Sequence, residues 1–185
     1  QLYRIVLGTE HIPAKSLLDK APLTWRLMRL LPALIDQPHF EPLQRFLTND
    51  SDLRKRYQLS ERLADLFDQY QVYRAYWLED WAAGRHQLRN ARGETPALSP
   101  ANCWQAELWR ALLLDVGEEG MSQSRAGVHQ RFMDRINSLE QAPPGLPARV
   151  IVFGISSLPA QALEALAGLA RFSQVLLCVH NPCRH

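Results

Sequence analysis

Three polar residues near the middle of the chain have types and spacing that could do chemistry. Asp65 lies three residues before Asp68 and four before Gln69, so on a helix the three share one face. Because carboxylates repel phosphates, acids in a nucleic-acid channel are useful chiefly where they accept hydrogen bonds from base amino groups. A protein that binds single strands without sequence preference would instead use arginine, lysine and stacking aromatics. Spacing alone favours a solvated helix surface on which Arg62 pairs with Asp65, and base recognition is the alternative.

The cysteines and histidines show no pattern typical of a metal site or a catalytic nucleophile. Cys103, Cys178 and Cys183 form no C-x-x-C pair, so the sequence predicts neither a disulfide framework nor a zinc site. His129 and His180 have no second ligand at a metal-binding spacing. Paired acids and a nucleophile elbow are also missing, which makes an enzyme in its own right the least favoured class.

Composition and charge are those of an ordinary globular protein. The 185 residues are 46% hydrophobic and 22% charged, and the formal net charge of +2 does not by itself predict nucleic-acid binding. Three of the 21 basic residues are lysines, which leaves eighteen arginines, although genomic base composition explains this bias most simply. The start at Gln1 without an initiator Met indicates a fragment. No membrane span or leader is predicted, and a cytoplasmic protein is expected.

Hydrophobic periodicity predicts helices over roughly the first 140 residues. The spacing predicts a helix over 23–35, bent or divided at Pro32, and a short helix that begins at Glu41. A long helix ends near Gln71, and its continuation over 74–83 stops at a glycine. The residues expected to face the core are Trp25, Met28, Leu31, either Leu34 or Ile35, Leu43, Phe46, Leu47, Leu59, Leu63, Leu66, Phe67, Tyr70, Trp77, Leu78 and Trp81.

A nonperiodic surface loop is predicted over 85–98, and further helices follow it. Ser99-Pro100 begins one helix, residues 117–120 form a glycine-containing turn, and the last helix is capped near Ser124. The result is a module of five or six helices. Its inward-facing residues are predicted to be Trp104, Leu108, Leu112, Val128, Phe132, Ile136 and Leu139, and Trp109 is also expected in the core.

The pattern changes after a proline-rich linker over 142–148. An apolar β-branched run over 149–153, a helix over 160–172 and a second apolar run over 174–179 predict a βαβ unit with parallel strands. Two such strands are too few for a parallel sheet, so further strands are expected from outside the chain. The predicted fold class is mainly α with a small α/β part, divided into residues 1–141, the linker and residues 149–185.

A helical insertion that returns to a parallel sheet is the arrangement of a helicase motor subdomain, but the motor chemistry is missing. No G-x-x-x-x-G-K-S/T phosphate loop occurs in the sequence. The first predicted strand is followed by Gly154-Ile155-Ser156-Ser157, where a motor would place the acids that hold magnesium. We therefore expect the chain to be noncatalytic, with no cofactor of its own.

Short strings of residues carry a family resemblance along nearly the whole chain. Each string is weak alone, and their shared order and spacing carry the similarity. They are Leu23 to Met28, Leu30-Leu31-Pro32, Ala64 to Tyr70, Val72-Tyr73-Arg74 with Trp77, Trp104-Gln105-Ala106, His129 to Phe132, Pro143 to Pro147, Val152 to Ser156 with Leu158-Pro159, and Asn181 to Arg184. By these strings the chain resembles the RecC family, the gamma subunits of exodeoxyribonuclease V.

The resemblance implies an inactive, superfamily 1 helicase-like fold in which a helical 1B-like subdomain precedes the βαβ part of a 1A-like domain. It implies a noncatalytic subunit of a bacterial helicase-nuclease complex that unwinds and degrades broken DNA ends. The partners implied are RecB-like and RecD-like motor subunits, which would hold ATP and magnesium, and single-stranded and forked DNA. The expected location is the cytoplasm, at the nucleoid during repair, without membrane contact.

The resemblance also implies which residues read DNA. In that family the gamma subunit scans the 3′-ending strand for Chi, the sequence that switches the complex toward recombination. Matched motif to motif, the Chi-reading positions fall on Asp65, Leu66, Asp68, Gln69, Arg74 and Arg125. The alternative is a protein-interaction scaffold whose helices dock the motor subunits and touch DNA only incidentally.

Overall fold

The computed structural model of the chain describes residues 2–48, 53–90, 92–155 and 157–179. The sequence predicts a turn followed by a helix cap at Thr48 to Asp52, and residues 49–52 lie outside the described ranges. The predictions that involve Ser156, His180, Cys183 and the string 181–184 also lie outside them. The helices are α1 (Leu2–Leu7), α2 (Lys20–Leu34), α3 (Glu41–Leu47), α4 (Arg54–Tyr73), α5 (Ala75–Ala82), α6 (Cys103–Ser122), α7 (Arg125–Ser138) and α8 (Ala160–Leu169), and the strands are β1 (Arg149–Phe153) and β2 (Gln174–Cys178).

The chain divides into two compact units, one over residues 15–124 and the other over 1–14 with 125–185. Helices dominate the described part, and its one sheet is the parallel pair β1–β2, so the mainly α class with a small α/β part is confirmed. The predicted domain boundaries at residues 141 and 149 follow the change of secondary structure and stay a prediction.

The first unit is built around α2 and α4, which pack on each other. On α2 the fully buried residues are Leu23, Leu27 and Leu31, spaced four apart along one ridge. Trp25 lies off this ridge and is 65% exposed, so its predicted place in the core is wrong. Pro32 lies within the helix, which continues to Leu34. Helix α2 does bury one hydrophobic face, but that face carries the leucines and not Trp25.

The other predicted core aromatics pack around α4. Phe67 is fully buried and stacks on Trp109, with ring centroids 5.4 Å apart. Trp81 is also fully buried, and its ring lies 5.8 Å from that of Tyr70. The half-buried residues Tyr70, Trp77 and Trp104 pack against this cluster. Phe46 on α3, by contrast, is exposed, and its predicted place in the core is wrong.

The predicted turn at 117–120 is a kink within α6. Only Gly117 leaves the helical conformation, with φ 66° and ψ −177°, and the helix resumes as far as Ser122. Gly120 is buried, and a Cβ there would lie 2.8 Å from the Val116 side chain. The next helix starts at Arg125, as the prediction near Ser124 required.

The second unit contains the predicted βαβ arrangement. Strands β1 and β2 pair in parallel, in register from Arg149 opposite Gln174 to Phe153 opposite Cys178, and α8 connects them. The core lies between the helices, where α7 packs on α8 and on α1. Its buried residues are Val6, Phe132, Ile136, Ala165 and Leu169. Helix α1 was not predicted as a separate helix, because six residues are too few to show a helical period.

Candidate nucleic-acid interface

The predicted base-reading face lies on α4, and its first acid forms an ion pair with α2. Lys20 Nζ lies 2.6 Å from Asp65 Oδ1, and both side chains are about half exposed. This hydrogen bond raises the pKa of the Lys20 ammonium, and the charges of Asp65, Glu61 and Asp68 add to the effect. The ion pair uses only Oδ1 of Asp65, so Oδ2 can still accept a hydrogen bond as far as this contact is concerned.

Glu61 extends the predicted acidic face by one turn. It lies four residues before Asp65, is exposed, and lies close enough to Lys20 to raise the pKa of its ammonium. The i, i+4 spacing from Asp65 could have identified it. Leu66 and Asp68 are half-buried and Gln69 is exposed, whereas the buried side of α4 is formed by Ser60, Leu63, Ala64, Phe67 and Gln71.

Arg74 lies at the junction between α4 and α5. Its backbone N–H donates to Tyr70 O at 2.8 Å, and its carbonyl accepts from Trp77 N at 2.8 Å, so it closes one helix and starts the next. The guanidinium carbon lies 5.3 Å from the centre of the Trp77 ring, and Nη1 donates to Tyr73 O. Burial raises the pKa of the Tyr70 phenol, and the nearby Arg74 charge opposes this rise. Arg74 is thus an exposed cation that contacts the face of the Trp77 ring.

The remaining predicted residue, Arg125, belongs to the other compact unit. It is the first residue of α7 and is exposed. The other five predicted residues lie together on α4 and at its C-terminal end.

A buried carboxylate next to this region escaped sequence analysis. Asp80 on α5 is 0% exposed, and its Oδ1 accepts from Arg85 Nε at 3.1 Å, Arg85 Nη2 at 2.8 Å and Arg89 Nη2 at 2.6 Å. Its Oδ2 accepts from the Gln87 amide at 3.0 Å. Burial pushes the pKa of Asp80 up, but the hydrogen bonds from Gln87, Arg85 and Arg89 outweigh it and hold the pKa below its usual value.

These contacts order residues 85–90 and 92–98 of the segment that the sequence predicted as a nonperiodic surface loop. The indole N–H of Trp77 donates to Arg89 O at 2.7 Å, and that of Trp81 donates to Gln87 O at 3.0 Å. Backbone bonds from Leu88 to Pro96 and from Leu98 to His86 close the two sides of the loop. We call this segment the Asp80 loop. These contacts come from α5 side chains 5 to 12 residues earlier, at spacings that follow no helix or strand period, so hydrophobic periodicity could not predict them.

Histidines and acids elsewhere give no metal site within the described ranges, where no group of three or more His, Cys, Asp and Glu is placed to hold an ion. His129 instead joins three helices of its unit through the Tyr3 hydroxyl at 2.7 Å and Glu164 Oε2 at 2.9 Å. Among the described residues, no helix is both long and apolar enough to cross a membrane.

Comparison with known proteins gives one family. The model of the RecC N-terminal domain matches residues 1–185. The chain is 43% identical over 176 residues, 95% of its length, to the RecBCD enzyme subunit RecC of Escherichia coli K12. It is 36% identical to the subunit of the same name from Haemophilus influenzae, over 96% of its length. It spans 15% and 17% of the lengths of these two relatives. On this evidence the chain belongs to the RecC N-terminal domain family.

Proposed function

We propose that this chain is a noncatalytic segment of a RecC-like subunit, within a bacterial ATP-dependent helicase-nuclease that processes double-strand DNA ends. Its role is to guide the 3′-ending single strand and to help recognise Chi during recombinational repair. The observation that carries the proposal is the partly exposed acidic face of α4, with Arg74 at the end of the same helix.

The chemistry of this face suits bases better than phosphates. Glu61, Asp65 and Asp68 all lie near enough to the Lys20 ammonium to act on its charge. With Arg62, this part of α4 has three acids against two cations. A phosphate would be repelled there, whereas the amino groups of cytosine and adenine donate to carboxylates. Arg74 supplies the complementary donor, because a guanidinium binds the O6 and N7 acceptors of guanine in a bidentate manner.

The fold supports the same reading. A helical unit combined with a parallel βαβ unit suits the 1B-like and 1A-like parts of an inactive helicase-like fold. Gly154 and Ile155 follow β1 where an active motor carries acids, so we assign ATP and magnesium to RecB-like and RecD-like partner subunits. We place the complex in the bacterial cytoplasm, at the nucleoid during repair.

Replacement of Asp68 in the assembled complex tests the proposal. Asp68→Ala removes a base-specific hydrogen bond worth roughly 1–3 kcal/mol of discrimination while phosphate contacts stay intact. We expect normal unwinding and general degradation, with a weakened Chi response measured as cleavage and recombination on DNA with and without Chi. Asp68→Asn replaces one acceptor oxygen with a donor, so an altered sequence preference is expected instead of a simple loss.

Asp36→Asn is the matched control, because Asp36 is an exposed acid of the same unit that lies outside the proposed site. It should leave the Chi response unchanged. An Asp68→Ala complex that assembles, unwinds and still switches at Chi like the parent would refute base reading by this helix.

A docking scaffold remains the second candidate, because exposed apolar side chains favour it. Ile151 and Phe153 on β1 and Val179 after β2 are largely exposed, and exposed apolar side chains close together are typical of a surface that another protein covers. Under this hypothesis, variants of α4 lower the yield of assembled complex first. Chi discrimination is then unchanged in the complex that does form.

A further inference from the structure

The Asp80 loop presents two arginines beside the residue that ends α4. Arg89 lies with its guanidinium carbon 6.0 Å from the Tyr76 ring centre, while Arg74 lies over the neighbouring Trp77 ring. These two rings are 6.3 Å apart, and the Trp77 indole also binds the Arg89 carbonyl. The loop arginines and Arg74 are therefore attached to the same short stretch of α5.

Asp80 fixes the positions of Arg85 and Arg89 but binds only some of their N–H donors. Asp80 accepts two of the five N–H donors of Arg85 and one of those of Arg89. The side chains of Arg85 and Arg89 are 52% and 39% exposed, whereas the carboxylate that orients them is fully buried. Two guanidiniums share one carboxylate, so the group formed by Asp80, Arg85 and Arg89 keeps a net positive charge.

We propose that Arg85 and Arg89 form a phosphate-binding site that anchors the backbone of the single strand whose bases α4 reads. This inference rests on the proposed function. A guanidinium fork matches two phosphate oxygens, and a fork already fixed by a buried acid loses less side-chain entropy on binding.

The acidic face of α4 makes such an anchor necessary. Glu61, Asp65 and Asp68 repel phosphates, so a strand held there by bases alone would gain little electrostatic affinity. Arg74 connects the two regions, because it ends α4 and lies over the Trp77 ring that also binds the Asp80 loop. This continuity favours a nucleic-acid backbone over an acidic segment of a partner protein as the occupant.

The test uses the full-length subunit assembled with its two motor partners and a forked duplex with a 3′ tail. The tail is lengthened until the affinity of the parent complex stops rising, so that the strand reaches the site. Arg85→Gln with Arg89→Gln removes both charges but keeps amide donors toward Asp80. Dissociation constants are measured over a series of salt concentrations, and assembly is followed by gel filtration.

We expect the double glutamine variant to bind the long-tailed fork about 25-fold more weakly at roughly 0.1 M salt, about 5-fold for each lost contact. The slope of log K against log salt concentration should fall in magnitude by about 1.4, since one single-strand phosphate contact contributes about 0.7. Arg85→Lys with Arg89→Lys should restore most of the slope, because lysine still contacts phosphate as a point charge. Arg92→Ala, an exposed arginine on the same loop, should change affinity less than about 2-fold.

An assembled glutamine variant with the affinity and salt slope of the parent overturns the inference. Loss of assembly with normal DNA binding in the assembled fraction also overturns it, and points to an acidic protein partner. If the glutamine variant does not fold, neutral methylphosphonate linkages placed along the tail of the parent's substrate decide the question. A loss confined to one or two neighbouring linkages supports the site, and equal affinity at every position contradicts it.

Failure of this inference and failure of the proposed function give different results. Asp68→Ala should change Chi discrimination without changing the salt slope, whereas the arginine variants should change the slope. An unchanged slope together with a Chi-deficient Asp68→Ala complex removes only the phosphate site. A normal Chi response of Asp68→Ala removes the reading function whatever the arginine variants show.

Discussion

Replacement of Asp80 should unfold the Asp80 loop at a cost that its contacts allow us to work out. Asp80→Ala removes a fully buried carboxylate that accepts hydrogen bonds from Arg85, Arg89 and Gln87. Breaking a buried ion pair typically costs about 3–5 kcal/mol. Both arginines here are partly exposed and regain water, so we expect the low end, about 3 kcal/mol of unfolding free energy. Asp80→Asn keeps Oδ1 as an acceptor but places an N–H donor opposite the Gln87 amide donor. We expect this variant to lose about 2 kcal/mol of unfolding free energy.

The loss should depend on pH, with a sign set by the lowered pKa of Asp80. Because the folded chain holds this pKa below its usual value, the unfolded chain binds the proton more readily, and stability of the parent rises with pH. The contribution is complete above the unfolded pKa, about 4, and is lost as the pH falls through the lower folded pKa. The difference in stability between the parent and Asp80→Asn should therefore narrow below about pH 4.

Denaturant unfolding of the 185-residue chain, followed by tryptophan fluorescence between about pH 3 and 7, measures both effects. Hydrogen exchange should locate the change, because the amides of Leu88 and Leu98 bond within the loop and should lose protection first. Asp36→Asn serves again as the exposed control. A loss below about 0.5 kcal/mol for Asp80→Ala would show that the carboxylate does not hold the loop. A parent–Asn difference that stays constant down to pH 3 would refute the assigned pKa direction.

Two further substitutions test the helical packing of the same unit by denaturant midpoint. Asp115 on α6 is only 13% exposed and pairs with Arg26 and Arg29 of α2, so Asp115→Asn should cost about 2 kcal/mol; equal midpoints would show that the pairs add nothing. Gly117→Ala should cost about 2 kcal/mol, because φ 66° with ψ −177° is open essentially only to glycine, and a stable variant would mean that the kink can straighten.

Local periodicity predicted the longer helices and the βαβ unit, which bury stripes of their own side chains, but missed the six-residue α1 and the continuity of α6 through Gly117. The βαβ unit followed from two β-branched runs around a helix, and the long helix α4 from its leucines and Phe67. The phase of α2 could not be predicted, because Trp25 has the largest apolar side chain on it. The helix instead buries the i, i+4 leucine ridge. Tertiary packing decides which of two plausible faces is covered.

The candidate site divides in the same way. The acidic face of α4 was predictable, because residues three and four apart on one helix share a face whatever the surroundings. Lys20 and the Asp80 loop were not, since their contacts join segments that no local pattern relates. No sequence pattern distinguishes Asp80, which lies on the short helix α5 between the buried residues Leu78 and Trp81. Only the fold shows that its carboxylate is fully buried and accepts hydrogen bonds on both oxygens.

Under the proposed function, placing the acids and the loop arginines on different elements serves the opposed needs of sequence discrimination and strand affinity. Carboxylates that accept from bases gain selectivity but repel the backbone, and cations that hold phosphates gain affinity that is blind to sequence. In direct contact the two sets would neutralise each other, as Lys20 of α2 and Asp65 of α4 do. With the arginines on a loop braced by Asp80, each set keeps its own charge. Acid variants should then shift which sequence is recognised, whereas arginine variants should shift how strongly any strand is held.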